Sequence, residues 1–129
     1  MSVLLERGAE YLEIGWSIVP IAPRSKRPPV GFLWKPFQSC RPSIENLRDW
    51  DSRYPNAGVG IVTGHISGLV VLDCDGPTGQ ASMSQLNLHV EHNPICQTPR
   101  PGSHIYFGHP GGHIGSRTAL LPGLDLKAD

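Results

Sequence analysis

The stretch GLVVLDCDGPTG, residues 68–79, places two aspartates at the end of a run of apolar residues. The run is typical of a buried strand, in which aspartate is uncommon. Alternate residues of a strand point to the same face, so Asp73 and Asp75 project together from one small patch. Two like charges about 5 Å apart repel by about 3 kcal/mol at an effective dielectric constant near 20. Either a divalent cation offsets this repulsion, or both carboxylates face water or cap the turn that begins at Gly76.

Two later segments carry residues of matching chemistry. The segment GLDLKAD, residues 123–129, places Asp125 and Lys127 on one face of a predicted strand. The segment TPRPGSHIYF, residues 98–107, has a glycine-containing turn that delivers His104 to the start of a strand, with Arg100 four residues earlier. If the strands are neighbours, three acids, one histidine and two bases make a site for a metal-bound polyphosphate. Taken singly, His104 is more often a core or turn histidine, and Lys127 a solvated surface lysine.

The bulk composition bounds the class of protein. The 129 residues are enough for one domain and too few for two independent ones, and 15 Gly with 13 Pro argue against an all-helical bundle. Eleven basic and eleven acidic residues give a formal net charge of zero, so no sequence-wide basic field marks a nucleic-acid binder. Three cysteines without disulfide-like spacing, and the absence of a signal-peptide pattern, predict a reducing, cytoplasmic setting. No apolar stretch approaches the length that a bilayer requires, so no membrane partner is expected.

The predicted elements alternate between helices and short strands. Apolar spacings of three and four predict a first helix ending near Gly15 and a second over residues 43–55, where Ser43 and Asn46 come close to a capping box. Strands are expected at 16–23, 57–64 and 68–75, a helix over 78–90, and further strands at 104–108 and in GLDLKAD. We therefore expect an α/β fold of the α+β type, with a mixed sheet flanked by helices.

Together these motifs resemble the bifunctional DNA primase/polymerase (Prim-Pol) N-terminal domains of the archaeo-eukaryotic primase superfamily, found in replication proteins of phages, plasmids and related elements. The stretch AEYLEIGWSIVPIAPRSKRPPV, residues 9–30, is similar to the family's opening helix, strand and Lys-x-Pro loop. Residues 43–79 resemble its helix with a central Trp, its Gly-x-Gly-Ile-x-Thr-Gly strand and its first motif, hydrophobic-Asp-x-Asp. TPRPGSHIYF resembles the second motif, centred on a His, and GLDLKAD the third. The resemblance covers nearly the whole chain and implies a largely antiparallel, RRM-like primase-polymerase core over residues 1–129.

The resemblance also implies an activity, that of a template-directed DNA primase/polymerase. Such a nucleotidyl transferase uses two divalent ions, Mg²⁺ or Mn²⁺, and its catalytic and metal-binding residues would be Asp73, Asp75 and Asp125. One ion activates the attacking 3′-hydroxyl and the other neutralises the departing pyrophosphate. The implied partners are a single-stranded DNA template, an NTP or dNTP, and a fused or associated helicase.

The nucleotide-binding residues implied by the resemblance surround the second and third motifs. His104 and Arg100 would contact the triphosphate of the incoming nucleotide, and Lys127 would assist. The family's second motif is often Ser-x-His, but Gly102 stands at the Ser position, so a hydroxyl contact would come from Ser103 or be replaced by a backbone N–H. The chain ends four residues after Asp125, where the family usually continues, so we expect a domain truncated at its C-terminal end and belonging to a longer replication protein.

Other residues invite weaker predictions. Lys26 and Arg27 lie in the basic segment RSKRPP. We expect them either to contact the phosphates of DNA or nucleotide, or to belong to a solvated loop. Trp34, Trp50 and Tyr54 are expected to pack in the core and against helices rather than to stack on bases.

Three competing interpretations remain. The stretch VVLDCDGPTG also resembles the Asp-x-Asp-Gly-Thr nucleophile loop of haloacid-dehalogenase-like phosphatases, although Pro77 interrupts the motif and the motif lies in mid-chain. A degenerate primase-like module would bind nucleotide or DNA without catalysis, but the full set of aspartates with His104 argues against it. A zinc site would use His89, His92 and Cys96, for which no fourth ligand is evident.

Overall fold

The computed structural model describes residues 2–88 and 90–129, and in them the chain forms three α-helices and seven β-strands. The helices are α1 (Val3–Ile14), α2 (Ile44–Arg53) and α3 (Gly76–Leu86). The strands are β1 (Ser17–Ile21), β2 (Gly58–Val62), β3 (Leu69–Asp75), β4 (Ile95–Gln97), β5 (Gly102–Gly108), β6 (Arg117–Leu121) and β7 (Leu124–Lys127). Short 3-10 turns lie at Lys35–Gln38 and His65–Ser67. The chain divides into two compact units, one ending at Val62 and one spanning Thr63–Asp129.

The first unit combines α1 and α2 with a two-stranded antiparallel sheet, β1 and β2. Helix α1 begins after Ser2, whose hydroxyl accepts a hydrogen bond from the N–H of Leu5, and ends at Gly15, which adopts a left-handed φ of 103°. Helix α2 begins after Ser43, where Asn46 completes the capping box in place of the usual Glu. Both helix ends therefore agree with the sequence prediction. The core consists of buried apolar side chains, namely Leu4, Ile18, Leu47, Trp50 and Ala57.

The second unit is a five-stranded antiparallel sheet in the order β4-β5-β3-β7-β6, with α3 against one face. Strand β3 lies at the centre and pairs with β5 on one side and β7 on the other. Leu72 and Cys74 of β3 are buried with Ile105 in the cluster that faces α3. Asp73 and Asp75 alternate with these residues and therefore point to the opposite face of the sheet.

The start of α3 is held tightly between β5 and β7. The N–H of Asp75 donates to the carbonyl oxygen of Gly123 at 2.8 Å, and the N–H of Gly76 donates to that of Pro101 at 2.7 Å. A Cβ atom on Gly79 would lie 2.5 Å from the carbonyl oxygen of Gly123, so the helix can approach the turn between β6 and β7 only because position 79 has no side chain. These contacts fix the end of β3, and with it the position of the two aspartates.

The α+β class is confirmed, but the strands are arranged differently from the single mixed sheet that was expected. They form two sheets, and every strand pairing among the described residues is antiparallel. Strands β4 and β6 were not predicted, because β4 has three exposed residues and β6 contains a register shift that breaks its alternation. Helix α3 begins at Gly76 rather than Thr78, since Pro77 is well suited to a first helical turn.

A single domain over residues 1–129 remains a prediction. None of the helices in the part of the chain that the structure describes is long and apolar enough to cross a membrane.

Candidate active site

The sheet register brings the three predicted aspartates together. Asp73 of β3 lies directly opposite Asp125 of β7, and Asp75 follows Asp73 on the same face. One carboxylate oxygen from each of the three residues lies within 4.8 Å of the other two. Within residues 2–88 and 90–129 this is the only group of three His, Cys, Asp or Glu side chains close enough to hold a metal ion. Carboxylate oxygens are the ligands that Mg²⁺ and Mn²⁺ prefer, so the acidic trio is chemically suited to such an ion.

Asp75 is not used as a helix cap. It occupies the N-cap position of α3, but its side chain makes no capping hydrogen bond. The alternative in which this carboxylate serves the turn at Gly76 therefore does not describe the structure. An exposed aspartate that leaves the usual N-cap bond unmade keeps its oxygens available to a ligand.

Donors from three different elements surround the trio. His104 of β5 lies opposite Asp73, and its Nε2 atom is 3.3 Å from Asp73 Oδ1. The backbone N–H of Ala119 donates to Asp125 Oδ1 at 2.7 Å, and Lys127 Nζ is 3.8 Å from Asp125 Oδ2. Two of the three carboxylates are thereby oriented from opposite sides of β3. Three carboxylates beside one lysine leave a local excess of negative charge, which a divalent cation would neutralise.

Ser103 lies on the other face of the sheet. It pairs with Cys74 in the β3–β5 ladder and therefore points toward α3, away from His104 and the acidic trio. There it lines a cavity of about 350 Å³ and hydrogen-bonds the Cys74 thiol. Burial, followed by the charges of Asp75 and Asp73, raises the pKa of that thiol, and the bond with Ser103 opposes the rise. Of the residues predicted to bind nucleotide, His104 and Lys127 reach the trio and Ser103 does not.

Gly102 has no room for the serine of the usual motif. A Cβ atom at this position would lie 2.6 Å from the carbonyl oxygen of Cys74 and 2.9 Å from Thr98 Oγ1. The backbone of β5 at Gly102 therefore lies too close to β3 and to the turn before β5 for a side chain at this position. In that turn the carbonyl oxygen of Arg100 accepts a hydrogen bond from the Thr98 hydroxyl at 2.8 Å, and the Arg100 side chain is exposed.

The remaining predicted residues belong to other segments of the chain. Lys26 and Arg27 are exposed in the first unit, in the loop that follows β1. The prediction that the aromatic residues pack in the core is correct for Trp50, which is 4% exposed, and wrong for Trp34, which is 39% exposed. The zinc interpretation depends on His89, which lies outside the described residues.

A second polar cluster, around Asp129, was missed in the sequence. Its carboxylate accepts hydrogen bonds from the N–H groups of His65 and Ile114, each at 2.8 Å, and lies 2.8 Å from His109 Nε2. The bond with His109, then the two backbone bonds, hold the pKa of the Asp129 carboxyl well below its usual range. Asp129 follows Asp125 by four residues, so the cluster anchors the end of the strand that carries the third aspartate of the trio. The sequence around Asp129 does not predict this cluster, because one of its partners is 64 residues away in the chain. The sequence feature that could have drawn attention to Asp129 is its alternate spacing with Asp125 and Lys127 in GLDLKAD.

Comparison with known proteins agrees with the geometry. The chain matches the family model for the N-terminal domain of bifunctional DNA primase/polymerase, Prim-Pol, over residues 8–129. No curated protein matches the chain. The matched region contains the acidic trio, His104 and Lys127. Because the match covers essentially the whole chain, this protein belongs to the Prim-Pol family.

Proposed function

We propose that this chain is a template-directed DNA primase/polymerase that joins nucleotides on single-stranded DNA during phage- or plasmid-type replication. Family membership supports nucleotidyl transfer of the primase/polymerase type. The single observation that carries the finer proposal is the acidic trio, whose carboxylate oxygens from β3 and β7 lie within 4.8 Å of one another.

In this proposal Asp73, Asp75 and Asp125 hold two divalent ions, Mg²⁺ or Mn²⁺. Bound there, such ions would supply activation of the 3′-hydroxyl and neutralisation of the departing pyrophosphate. The chain's own contribution is preorganisation, since the N–H of Ala119 holds the carboxylate of Asp125 while the ammonium of Lys127 lies 3.8 Å from it. Phosphoryl transfer needs positioning and charge compensation more than it needs a protein nucleophile, which agrees with a site made of carboxylates and donors.

The incoming nucleotide is assigned to the side of the trio occupied by His104. This imidazole is 39% exposed and lies 3.3 Å from Asp73, so it can donate to a phosphate oxygen beside a metal-binding carboxylate. Lys127 and the exposed Arg100 are proposed as further cations for the triphosphate. Ser103 is left out of the proposal because it faces α3.

Two alternatives are set aside for different reasons. The phosphatase interpretation rested on one short motif, whereas the Prim-Pol match extends over residues 8–129. A catalytically degenerate binding module would need none of the three aspartates in register, and the structure has all three. A fused or associated helicase and a cytoplasmic location remain predictions.

The test is incorporation of labelled nucleotides on single-stranded DNA with Mg²⁺ or Mn²⁺, with and without a primer. Wild type is compared with Asp73→Ala and with Glu13→Gln, which removes an exposed carboxylate of α1. We expect metal-dependent products from wild type and Glu13→Gln, and none from a folded Asp73→Ala. Products of equal yield from Asp73→Ala would contradict the proposal, and nucleotide binding without any product from wild type would favour the binding module.

A further inference from the structure

One segment of the first unit has a strongly biased charge. Residues 15–43 contain five basic residues and no acidic one, although the chain as a whole is neutral. Arg41 of this segment donates to the carbonyl oxygen of Gly15 at 2.6 Å. The other four are exposed and form no ion pair within residues 2–88 and 90–129, namely Arg24, Lys26, Arg27 and Lys35. We call residues 24–35 the basic loop.

The basic loop is anchored although it contains little regular structure. The ring of Phe32 packs edge-on against Trp50 at 5.2 Å and against Tyr54 at 6.0 Å, measured between ring centroids. The N–H of Ala22 donates to the carbonyl oxygen of Arg27 at 2.9 Å and closes the turn that carries the first three cations. The side chains of the loop therefore extend from a backbone that is held in place at both ends.

The same loop exposes apolar side chains between its cations. Val30 is fully exposed, Leu33 is 78% exposed and Trp34 is 39% exposed. The Trp34 ring makes no contact with another aromatic ring in the part of the chain that the structure describes. Exposed apolar residues that lie together commonly mark an interaction surface. A partner that offers flat apolar faces together with negative charge would match both the cations and the exposed indole of this loop.

We infer that the basic loop binds single-stranded nucleic acid, with its four cations on phosphates and Trp34 stacked on a base. Surfaces that bind single strands combine a cationic track for the backbone with aromatic side chains for the bases. An unpaired strand exposes base faces that a duplex hides within its stack, so a single strand matches the exposed indole better than a duplex does. The inference rests on the proposed function in that the bound strand would be the template.

The test is binding of a fluorescently labelled oligothymidine, followed by anisotropy over a range of salt concentrations without divalent metal. A plot of log affinity against log salt concentration has a slope to which each phosphate contact on a single strand contributes about 0.7. The double variant Lys26→Gln/Arg27→Gln should therefore reduce the magnitude of this slope by about 1.4. Trp34→Leu should weaken binding by about five-fold or more at an unchanged slope, because a stacked base is lost. Arg48→Gln, which removes an exposed cation of α2, should match wild type in both respects.

Failure of this inference can be told apart from failure of the proposed function. Binding is measured on Asp73→Ala as well, which should retain wild-type affinity even though nucleotide incorporation is lost. Wild-type affinity and slope in both loop variants would overturn the inference while leaving catalysis intact, as would tighter binding to the duplex than to the single strand. If the loop variants lose binding while wild type incorporates no nucleotide, the inference about the basic loop is upheld and the proposed function is refuted.

Discussion

Replacing Asp75 with Asn should make the protein more stable without metal and less responsive to metal. The carboxylate of Asp75 lies within 4.8 Å of two others and makes no capping hydrogen bond. Asn keeps the shape and suits an N-cap position equally well, so the main change is the loss of one negative charge.

The size of the effect follows from the spacing. At 4.8 Å a pair of carboxylates repels by about 1 kcal/mol in bulk water and by about 3.5 kcal/mol at an effective dielectric constant of 20. Asp75 is exposed, so the lower figure applies to each of its two neighbours. The free energy of unfolding without metal should rise by about 1–2 kcal/mol, which corresponds to a Tm increase of several degrees.

Bound metal should reverse the order of stability, so that wild type becomes more stable than Asp75→Asn. An ion present at about 100 times its Kd stabilises a folded protein by about 2.7 kcal/mol, and Asp75→Asn removes one of the ligands that would bind it. The assay is thermal unfolding of wild type, Asp75→Asn and the control Asp51→Asn, first with a chelator and then with increasing Mn²⁺. The control replaces an aspartate of α2 outside the trio and should behave as wild type in both conditions.

Two results would refute this reasoning. A lower Tm for Asp75→Asn in the chelator would show that the carboxylate stabilises the metal-free protein rather than straining it. An undiminished Mn²⁺ response in the variant would show that Asp75 is not a metal ligand.

Three further predictions concern the surroundings of the trio. Gly79→Ala should lower the free energy of unfolding by about 2 kcal/mol in denaturant titrations, since its Cβ would lie 2.5 Å from a backbone oxygen. The control is Ser84→Ala on the same helix. If Gly79→Ala lowered the free energy of unfolding no more than the control does, the close packing at position 79 would be contradicted. Asp129→Asn should destabilise the protein at neutral pH, because the folded pKa of this carboxyl is lowered and the carboxylate therefore contributes stability above its ordinary pKa of 3.8. In acid-unfolding curves the loss of stability relative to wild type should shrink as the pH falls below about 4. A loss of stability that stays constant with pH would rule out the bond to His109 as its cause. His104→Gln should raise the KM for nucleotide about ten-fold or more in steady-state incorporation assays, as expected when a donor to a charged phosphate is lost, and a change confined to kcat would assign His104 a different role.

The parts of the fold and site that could be predicted from sequence are those set by local pattern. The alternation in residues 68–75 predicts the strand and places Asp73 and Asp75 on one face, and the structure confirms both. Gly15 and Ser43 mark helix ends through backbone preferences that act within a few residues. The position of Asp125 could be predicted only if the strand that carries it lies next to β3. The pairing of β3 with β7 shows that it does.

What could not be predicted depends on distant parts of the chain. The cluster at Asp129 joins segments around His65, His109 and Ile114, and no local pattern records that they meet. Strand β6 was missed because its register shift removes the period-two alternation that identifies a strand. Trp34 is of a residue type that is usually buried, but it lies in a loop, where no periodic pattern separates buried from exposed positions, and it is 39% exposed.

Ser103 is a different kind of miss. Strand alternation already separates Ser103 from His104, because adjacent residues of a strand point to opposite faces. The expectation that its hydroxyl could replace the one absent at Gly102 came from the family motif and ignored this parity. The structure places Ser103 beside Cys74 instead.

The most direct test of the central claim is template-specified incorporation at the acidic trio. Homopolymeric single-stranded DNA templates are each supplied with one labelled nucleotide at a time, with Mn²⁺ or Mg²⁺, using wild type and Asp125→Asn. We predict that wild type incorporates only the nucleotide complementary to each template, and that Asp125→Asn, shown to be folded by its unfolding curve, incorporates none. Incorporation that ignores the template, or complementary incorporation that survives in Asp125→Asn, would contradict the claim that this trio catalyses template-directed nucleotidyl transfer.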